Sequence, residues 1–408
     1  MTMKHWLLSA LAALAAMPLV AQPITAESKT TILGEVAERI AKSAYVGGAD
    51  FSKWPEFLAK HKEAIDAAET EEQFSAAVNA AFLEFGFSHL RLLSPRAAES
   101  QRTGNSVGIG ILAAPDPEGV RVAEVLEGGN AFKAGLKPGD VIVKANGKKV
   151  STPEELRGEA GTKVKIEVKR VDGTVAEFEI ERAVFSLVRK DKLTWLDEST
   201  AVLKVHSFAA GYDMKAIDQF FEEASKAKKL ILDLRGNGGG STANLFHLAG
   251  KFMDSQTELG KFITRGHAQM YIEKFGGTGS DPVAVAKEYG IPLRPFPSRS
   301  GKRFEGAVAV LINAGSGSAS EILAAGVQDT KRGKLVGSRT AGAVLASTFM
   351  RLSSGFSLQL PLMEYVSPGG KRLEGAGVSP DVALAAEKMA DDAGVIKAAV
   401  AAIDSSPA

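Results

Sequence analysis

Between Glu27 and Glu84 the apolar residues recur at helical spacing: "TILGEVAERIAKSAY" and "EQFSAAVNAAFLEFG" place them at i, i+3, i+4 and i+7, which predicts amphipathic helices. The pattern stops at Gly86, and "FSHLRLLSP" follows as a short extended piece ended by Pro95. From Val107 to Ala183 the period changes to two. "SVGIGILAA" reads as a strand, and "KVKIEVKRVDGTVAEFEIER" as a hairpin turning at Asp172-Gly173. From Phe185 to about Ala402 short strand-like runs ("AVLKVHSF", "KKLILDLRG", "AVAVLINAG", "GKLVGSRT", "FSLQLPLME") alternate with helical ones ("MKAIDQFFEEASKAKK", "SASEILAAGVQDTKRG"). That alternation predicts a layered α/β arrangement. The stretch 264–301, rich in Gly, Pro and basic residues, reads as a lid or substrate-contacting loop.

The chain of 408 residues is long enough for two or three domains with sizeable cores. Its net charge of +1 gives nucleic-acid binding no electrostatic support. It contains no cysteine, which excludes disulfides, thiolate metal sites and cysteine nucleophiles. Histidines and carboxylates lack metal-ligand spacings such as H-E-x-x-H, so no metal or organic cofactor is implied. The first residues, with Lys4, an apolar run from Trp6 to Ala16, Pro18 and then small residues, have the layout of a secretory signal peptide cleaved after Ala21. The run is short for a spanning helix. The expectation is a periplasmic or secreted protein that meets the membrane only through a transient signal peptide.

Two glycine-rich corners carry candidate chemistry. In "LILDLRGNGGGS" a strand ends in Asp233, Arg235 and Asn237, and three glycines then precede a helix. Such a turn can aim backbone N–H groups at a developing oxyanion. It lacks the Lys-Ser/Thr ending of a P-loop, so nucleotide binding is disfavoured. In "INAGSGSASEILAAG" small residues at a strand-to-helix turn suit a nucleophilic serine. Together the corners suit acyl transfer. Upstream, Ala134-Gly135-Leu136, Pro138-Gly139-Asp140 and the stretch from Ile142 through Asn146-Gly147 resemble a PDZ domain. Its carboxylate-binding loop would be "VGIGI" (Val107, Gly108, Ile109, Gly110, Ile111), with an adjacent strand edge to pair with a peptide.

The ordered blocks "LDLRGNGGG", "INAGSGSASEILAAG", "LVGSRTAG" and "RLEGAGVSPDV", following a PDZ domain, resemble the C-terminal-processing (tail-specific) serine peptidases and their tricorn-core relatives. The resemblance implies an α/β and α+β multidomain chain. The resemblance covers roughly Val107 to Val382; together with the N-terminal layout and the helical periodicity read above, the parts would be a signal peptide (1–21), a helical N-terminal region (27–95), a β-rich PDZ domain with helices (100–183) and a ClpP/crotonase-like α/β peptidase core (184–403). The resemblance implies Ser318 as nucleophile and an oxyanion hole from the N–H groups of Ala319 and Gly239. Ser316 and Ser320 would be turn and helix-capping serines. Protein or peptide substrates, reached through free C-termini, would be the partners.

The chain departs from the family where a Ser–Lys dyad would be completed. Aligning Gly337 and Gly342 puts Ala343 at the lysine position, and Ser347 stands for the expected glutamine. Lys331 and Lys334 lie nearby in a helix-end context. Among the histidines, His206 ends a strand, and His89 follows Ser88 in "GFSHLRLL". "SHLRL" is similar to the Ser-His element of the tricorn-like branch, which also uses a later glutamate, here Glu374 in "RLEGAGVSPD". The expectation is therefore Ser318 as nucleophile, His89 as general base, and Ser88 and Glu374 as orienting groups. The competing expectation is an inactive PDZ-containing scaffold of the same fold.

Overall fold

The computed structural model describes residues 23–298 and 302–405; the signal-peptide reading lies outside them. The described residues divide into two compact units, 105–187 and a second made of 23–104 with those of 188–405. The second unit is thus interrupted in sequence by the first. No helix among the described residues is long and apolar enough to cross a membrane.

The second unit is built on a six-stranded sheet. In spatial order its strands are Lys192–Asp197, Thr200–Lys204, Lys229–Asp233, Ala307–Ile312, Lys334–Gly337 and Val382–Ala383. The first pair is antiparallel and the rest are parallel. Strands buried on both faces read as continuous apolar runs, as in "LILDL". Leu230 and Leu232 face helices Met214–Glu223, Thr242–Ala249 and Ala319–Asp329 through Ile217, Leu245, Leu248 and Ile322. Ile231, Ala309 and Leu311 face helix Asp392–Asp404 through Val395, Ala399 and Ile403. Both glycine corners leave the carboxyl ends of two adjacent parallel strands, where Asp233 is level with Leu311. In open α/β sheets that edge is where ligands bind.

A second sheet joins strands Arg91–Leu93, Ala346–Arg351, Ser357–Val366, Lys261–Thr264 and Ile291–Pro292. One face packs on the N-terminal helices. Helix Ala26–Ser43 buries Ile32, Val36 and Ile40, four residues apart. Helix Glu71–Phe85 buries Phe74, Val78 and Phe82, and both meet Leu92, Leu358 and Leu360. Thr70 caps the second helix in a capping box with Gln73, and Gly86, at φ 89°, ends it. The strand after His89 is held on one edge by strand Ser357–Val366. On the other edge the Asn79 side chain imitates a strand, accepting from Leu92 N at 2.7 Å and donating to Leu92 O at 2.8 Å.

Over its described residues, 264–298, the Gly- and Pro-rich stretch is not the loop that its composition suggests. It holds helices Arg265–Phe275, capped by Thr264 and His267, and Pro282–Glu288, capped by Asp281. Val285 and Ala286 pack on Ile263 and Val366. The Gly and Pro residues punctuate helices here rather than abolish them.

In the other unit, strands run in the order Ile111–Asp116, Gly119–Val125, Val141–Ala145, Lys163–Lys169, Val175–Glu181 around a core of Ile109, Val120, Val122, Ile142, Val164 and Ile166. The last two strands form the hairpin at Asp172-Gly173, where Gly173 takes φ 85°.

Candidate active site

The two glycine corners are stitched together by groups that the sequence marks only as small and polar. Ser316 Oγ donates to Leu234 O at 2.9 Å and Ser320 Oγ to Asn237 O at 2.8 Å. Gly317 N donates to Asn237 O at 3.0 Å, and Gly236 N to Asn313 Oδ1 at 2.9 Å. Ser316 and Ser320 are fully buried, so they clamp the corners and are not available as nucleophiles. Ser318 sits between them, partly exposed, with φ 53° and ψ −118°. A non-glycine residue held in so sparsely populated a conformation is over-determined by its surroundings.

Ala319 opens the eleven-residue helix Ala319–Asp329, and its N–H has no partner among the described residues. It points from the positive end of a helix, a suitable donor to an oxyanion. Gly239 differs from the expectation. Its N–H donates to Asn237 Oδ1 at 2.9 Å, so it is not a free oxyanion donor in this conformation. The asparagine two residues earlier captures it in a local turn. Gly238 and Gly240 carry the amides of that corner without partners among the described residues. Gly239 matters sterically: a Cβ there would lie 2.6 Å from Ser318 Cβ and 2.7 Å from Gly317 O.

The upstream pair meets the downstream glutamate. Ser88 N donates to Glu374 Oε1 at 2.9 Å, Ser88 Oγ donates to Glu374 Oε2 at 3.0 Å, and His89 Nδ1 lies 2.8 Å from Ser88 Oγ. A carboxylate only accepts, so the Ser88 hydroxyl proton is committed to Glu374 and Ser88 Oγ must accept from His89 Nδ1–H. That leaves Nε2 with its lone pair, the tautomer a general base requires. His89 is itself at φ 58°, another unusual backbone conformation. Burial holds its pKa below the ordinary histidine value, and the Glu374 carboxylate opposes this.

One peptide unit connects this group to Ser318. Ala343 O accepts from Ser318 N at 2.8 Å, and Val344 N donates to Glu374 Oε2 at 3.0 Å. The carbonyl and the N–H belong to the same rigid plane. His89 and Ser318 Oγ are not directly hydrogen-bonded to each other; in free enzymes such contacts are often long and tighten around substrate. His206 places its backbone N–H on Asp191 Oδ1 at 2.8 Å. Lys331 follows the far end of the helix that Ser318 begins, about 16 Å along its axis at 1.5 Å per residue. Lys334 starts its strand at the opposite sheet edge from the corners. Neither lysine replaces the one absent at Ala343. The glutamine missing at Ser347 has a neighbour instead: Gln359, from the paired strand, donates to Ser347 Oγ at 3.0 Å.

Sequence reasoning did not single out Asn237, Asn79 or Glu321 for these roles. Only Glu321 left a signal, the S-x-x-E spacing from Ser318. Among the described residues no cluster of His, Asp and Glu is placed to hold a metal ion.

In the unit 105–187, Val107 and Ile109 are buried, so the "VGIGI" loop presents backbone rather than side chains. Ile109 O accepts from Ala131 N at 2.8 Å and Gly110 O from Leu126 N at 3.0 Å. The N–H groups of Ile109 and Gly110 have no partner among the described residues. Strand Ile111–Asp116 pairs on one side only, with Gly119–Val125, leaving an open edge beside that loop.

Residues 199–384 match Peptidase family S41, and residues 121–170 match a PDZ domain. A probable CtpA-like serine protease of Staphylococcus haemolyticus (strain JCSC1435) is 28% identical over 295 residues, covering 69% of this chain and 53% of that protein. One from Staphylococcus aureus (strain COL) is 26% identical over 293 residues with the same coverage. The chain thus spans about half the length of the curated relatives it matches. Among solved structures, the photosystem II D1 C-terminal processing protease gives a TM-score of 0.54 at 24% identity, covering 92% of this chain and 98% of that one. Mature CPAF in complex with lactacystin gives 0.54 at 13%, covering 87% and 94%. These two likenesses concern the fold.

Proposed function

With a family S41 peptidase domain and a PDZ domain carried on one chain, we propose that the protein is an exported serine endopeptidase of the C-terminal-processing type. Ser318 is its nucleophile and His89 its general base. The observation that carries this reading is the Ala343–Val344 peptide, which takes the nucleophile's N–H on its carbonyl and Glu374, the partner of Ser88, on its N–H. A lysine side chain is absent at 343, but the backbone there joins the nucleophile to a histidine-based group instead.

In this reading Ser318 Oγ attacks the scissile carbonyl as its proton moves to His89 Nε2. The carbonyl oxygen gains charge beside Ala319 N–H, with the unpartnered amides of Gly238 and Gly240 in the facing corner. The imidazolium returns its proton to the leaving amine, and water then hydrolyses the acyl-enzyme by the same base. Ser88 and Glu374 fix the tautomer and stabilise the transient positive charge. Because burial depresses the His89 pKa, the active neutral form is lost only as pH falls through a value below the ordinary ~6.5. A pH profile of kcat/KM should show an acid limb with its midpoint below about 6.5 and no rise above it. A midpoint well above 7 would argue for another base.

The open strand edge and free amides at Ile109 and Gly110 suit capture of a substrate's C-terminal carboxylate. Export rests on the N-terminal sequence, and the mature protein recovered from the producing cell should begin at Gln22. The function is tested with an unfolded protein substrate offered with a free and an amidated C-terminus. The free form should be cleaved internally, at least about tenfold faster at limiting concentration, which is 1.4 kcal/mol of recognition. Equal cleavage rates would remove the carboxylate reading. No cleavage by wild type beyond that of Ser318→Ala would favour the inactive scaffold.

A further inference from the structure

Glu321 lies on the first turn of helix Ala319–Asp329, is fully buried, and takes no part in the proton path. Four donors converge on its carboxylate. Oε1 accepts from Thr340 Oγ1 at 2.6 Å and Gly342 N at 2.7 Å; Oε2 accepts from Ala343 N at 2.9 Å and Ser318 N at 3.0 Å. Two donors per oxygen suit a carboxylate and nothing else of that shape. An amide would keep one acceptor oxygen and turn an NH2 group against two N–H or O–H donors. Burial pushes the Glu321 pKa up and the four donors oppose it.

The nucleophile corner has its own anchors to the first glycine corner through Ser316, Gly317 and Ser320. Apart from Glu321, its links to the 340–344 segment are two, Ala341 N to Ser316 O at 3.0 Å and Ser318 N to Ala343 O at 2.8 Å; Glu321 adds three more, from Thr340 Oγ1, Gly342 N and Ala343 N. That segment is the one that reaches Glu374. Thr340 also accepts from Val378 N at 2.7 Å, tying in the far side of the loop that carries Glu374.

We propose that Glu321 is a positioning residue: its Oε2 locks the amides of Ser318 and Ala343 together, so that nucleophile and base-orienting group share one frame. This rests on the serine-peptidase reading. A shift of about 1 Å between reacting groups costs on the order of 100-fold in rate, whereas binding of the substrate tail elsewhere is unaffected. The role therefore falls on kcat and not on KM.

The experiment compares wild type, Glu321→Gln, Glu321→Asp and Thr340→Val on a fluorogenic peptide, with thermal melts and hydrogen exchange over 316–345. Glu321→Gln should lower kcat about 100-fold with KM within threefold, and exchange at 340–345 should speed up. Glu321→Asp, which keeps four acceptor positions on a shorter stem, should recover part of the loss. Thr340→Val, which spares Oε2, should stay within about tenfold and remains informative if Glu321→Gln fails to fold. A kcat for Glu321→Gln within threefold of wild type would overturn the proposal. So would a loss that merely tracks the folded fraction, or unchanged exchange at 340–345. If wild type is no more active than Ser318→Ala while exchange still responds to Glu321→Gln, it is the peptidase reading that fails and the clamp that stands.

Discussion

Replacing His89 by glutamine should lower kcat by about 10⁴-fold or more while KM moves little, the result of removing a base that acts only in the transition state. Glutamine keeps the size and polarity of the site but cannot take the Ser318 proton. Among the described residues no lysine is placed to take over from His89. Position 343 holds alanine, and Lys331 and Lys334 stand at the far end of the helix and at the wrong edge of the sheet. The tautomer is dictated by Glu374 through Ser88, so Ser88→Ala should lower kcat as well, by less, because the imidazole remains. Steady-state kinetics on a quenched peptide would separate the two. A His89→Gln enzyme within tenfold of wild type would remove His89 from the mechanism.

Gly239→Ala should also be damaging, for a different reason. The residue sits at φ 95°, where an L side chain costs of order 1–3 kcal/mol of strain. The new Cβ would also stand 2.6 Å from Ser318 Cβ, 2.7 Å from Gly317 O and 2.9 Å from Ala319 N. Two of those are backbone atoms of the turn around Ser318, so relief requires moving Ser318 or the Ala319 N–H. The expected loss in kcat/KM is at least about 100-fold, with Tm lowered by roughly 2–4 °C per kcal/mol of strain. Gly238→Ala is the matched control. Nothing lies within 4 Å of a Cβ there, so it should fall within a few-fold of wild type. Equal losses in both variants would show that the corner tolerates no side chain anywhere, and the specific approach to Ser318 would lose its support.

Local patterns carried much of the architecture. The helix ends at Thr70 and Gly86, the hairpin at Asp172-Gly173 and the apolar run before Asp233 are set by residues close in sequence, and the chain adopts them. The stretch 264–301 misled because Gly and Pro are frequent both in loops and between short helices, and the caps at Thr264 and Asp281 are weaker signals than composition. The site is harder to read. The small-residue turn marks a stretch suited to a nucleophilic serine, and a family resemblance points within it to Ser318 and, elsewhere, to Ser88, His89 and Glu374. That Ser88 and Glu374 meet across 286 positions follows from tertiary packing of helices on the sheet that holds strand Arg91–Leu93. The same holds for Asn237, whose side chain takes the Gly239 N–H. Nothing in "RGNGGG" says which amide of the corner is left free.

The most direct test of the account is the labelling rate of wild type, Ser318→Ala, His89→Ala and His206→Ala by a fluorophosphonate probe, with the adduct located by peptide mass spectrometry. Wild type should carry an adduct on Ser318 and Ser318→Ala none. Labelling should be about 10³-fold slower in His89→Ala, of the order removed with a general acid–base group, and within tenfold of wild type in His206→Ala. Labelling of His89→Ala at the wild-type rate, with loss in His206→Ala or an adduct on another serine, would contradict it.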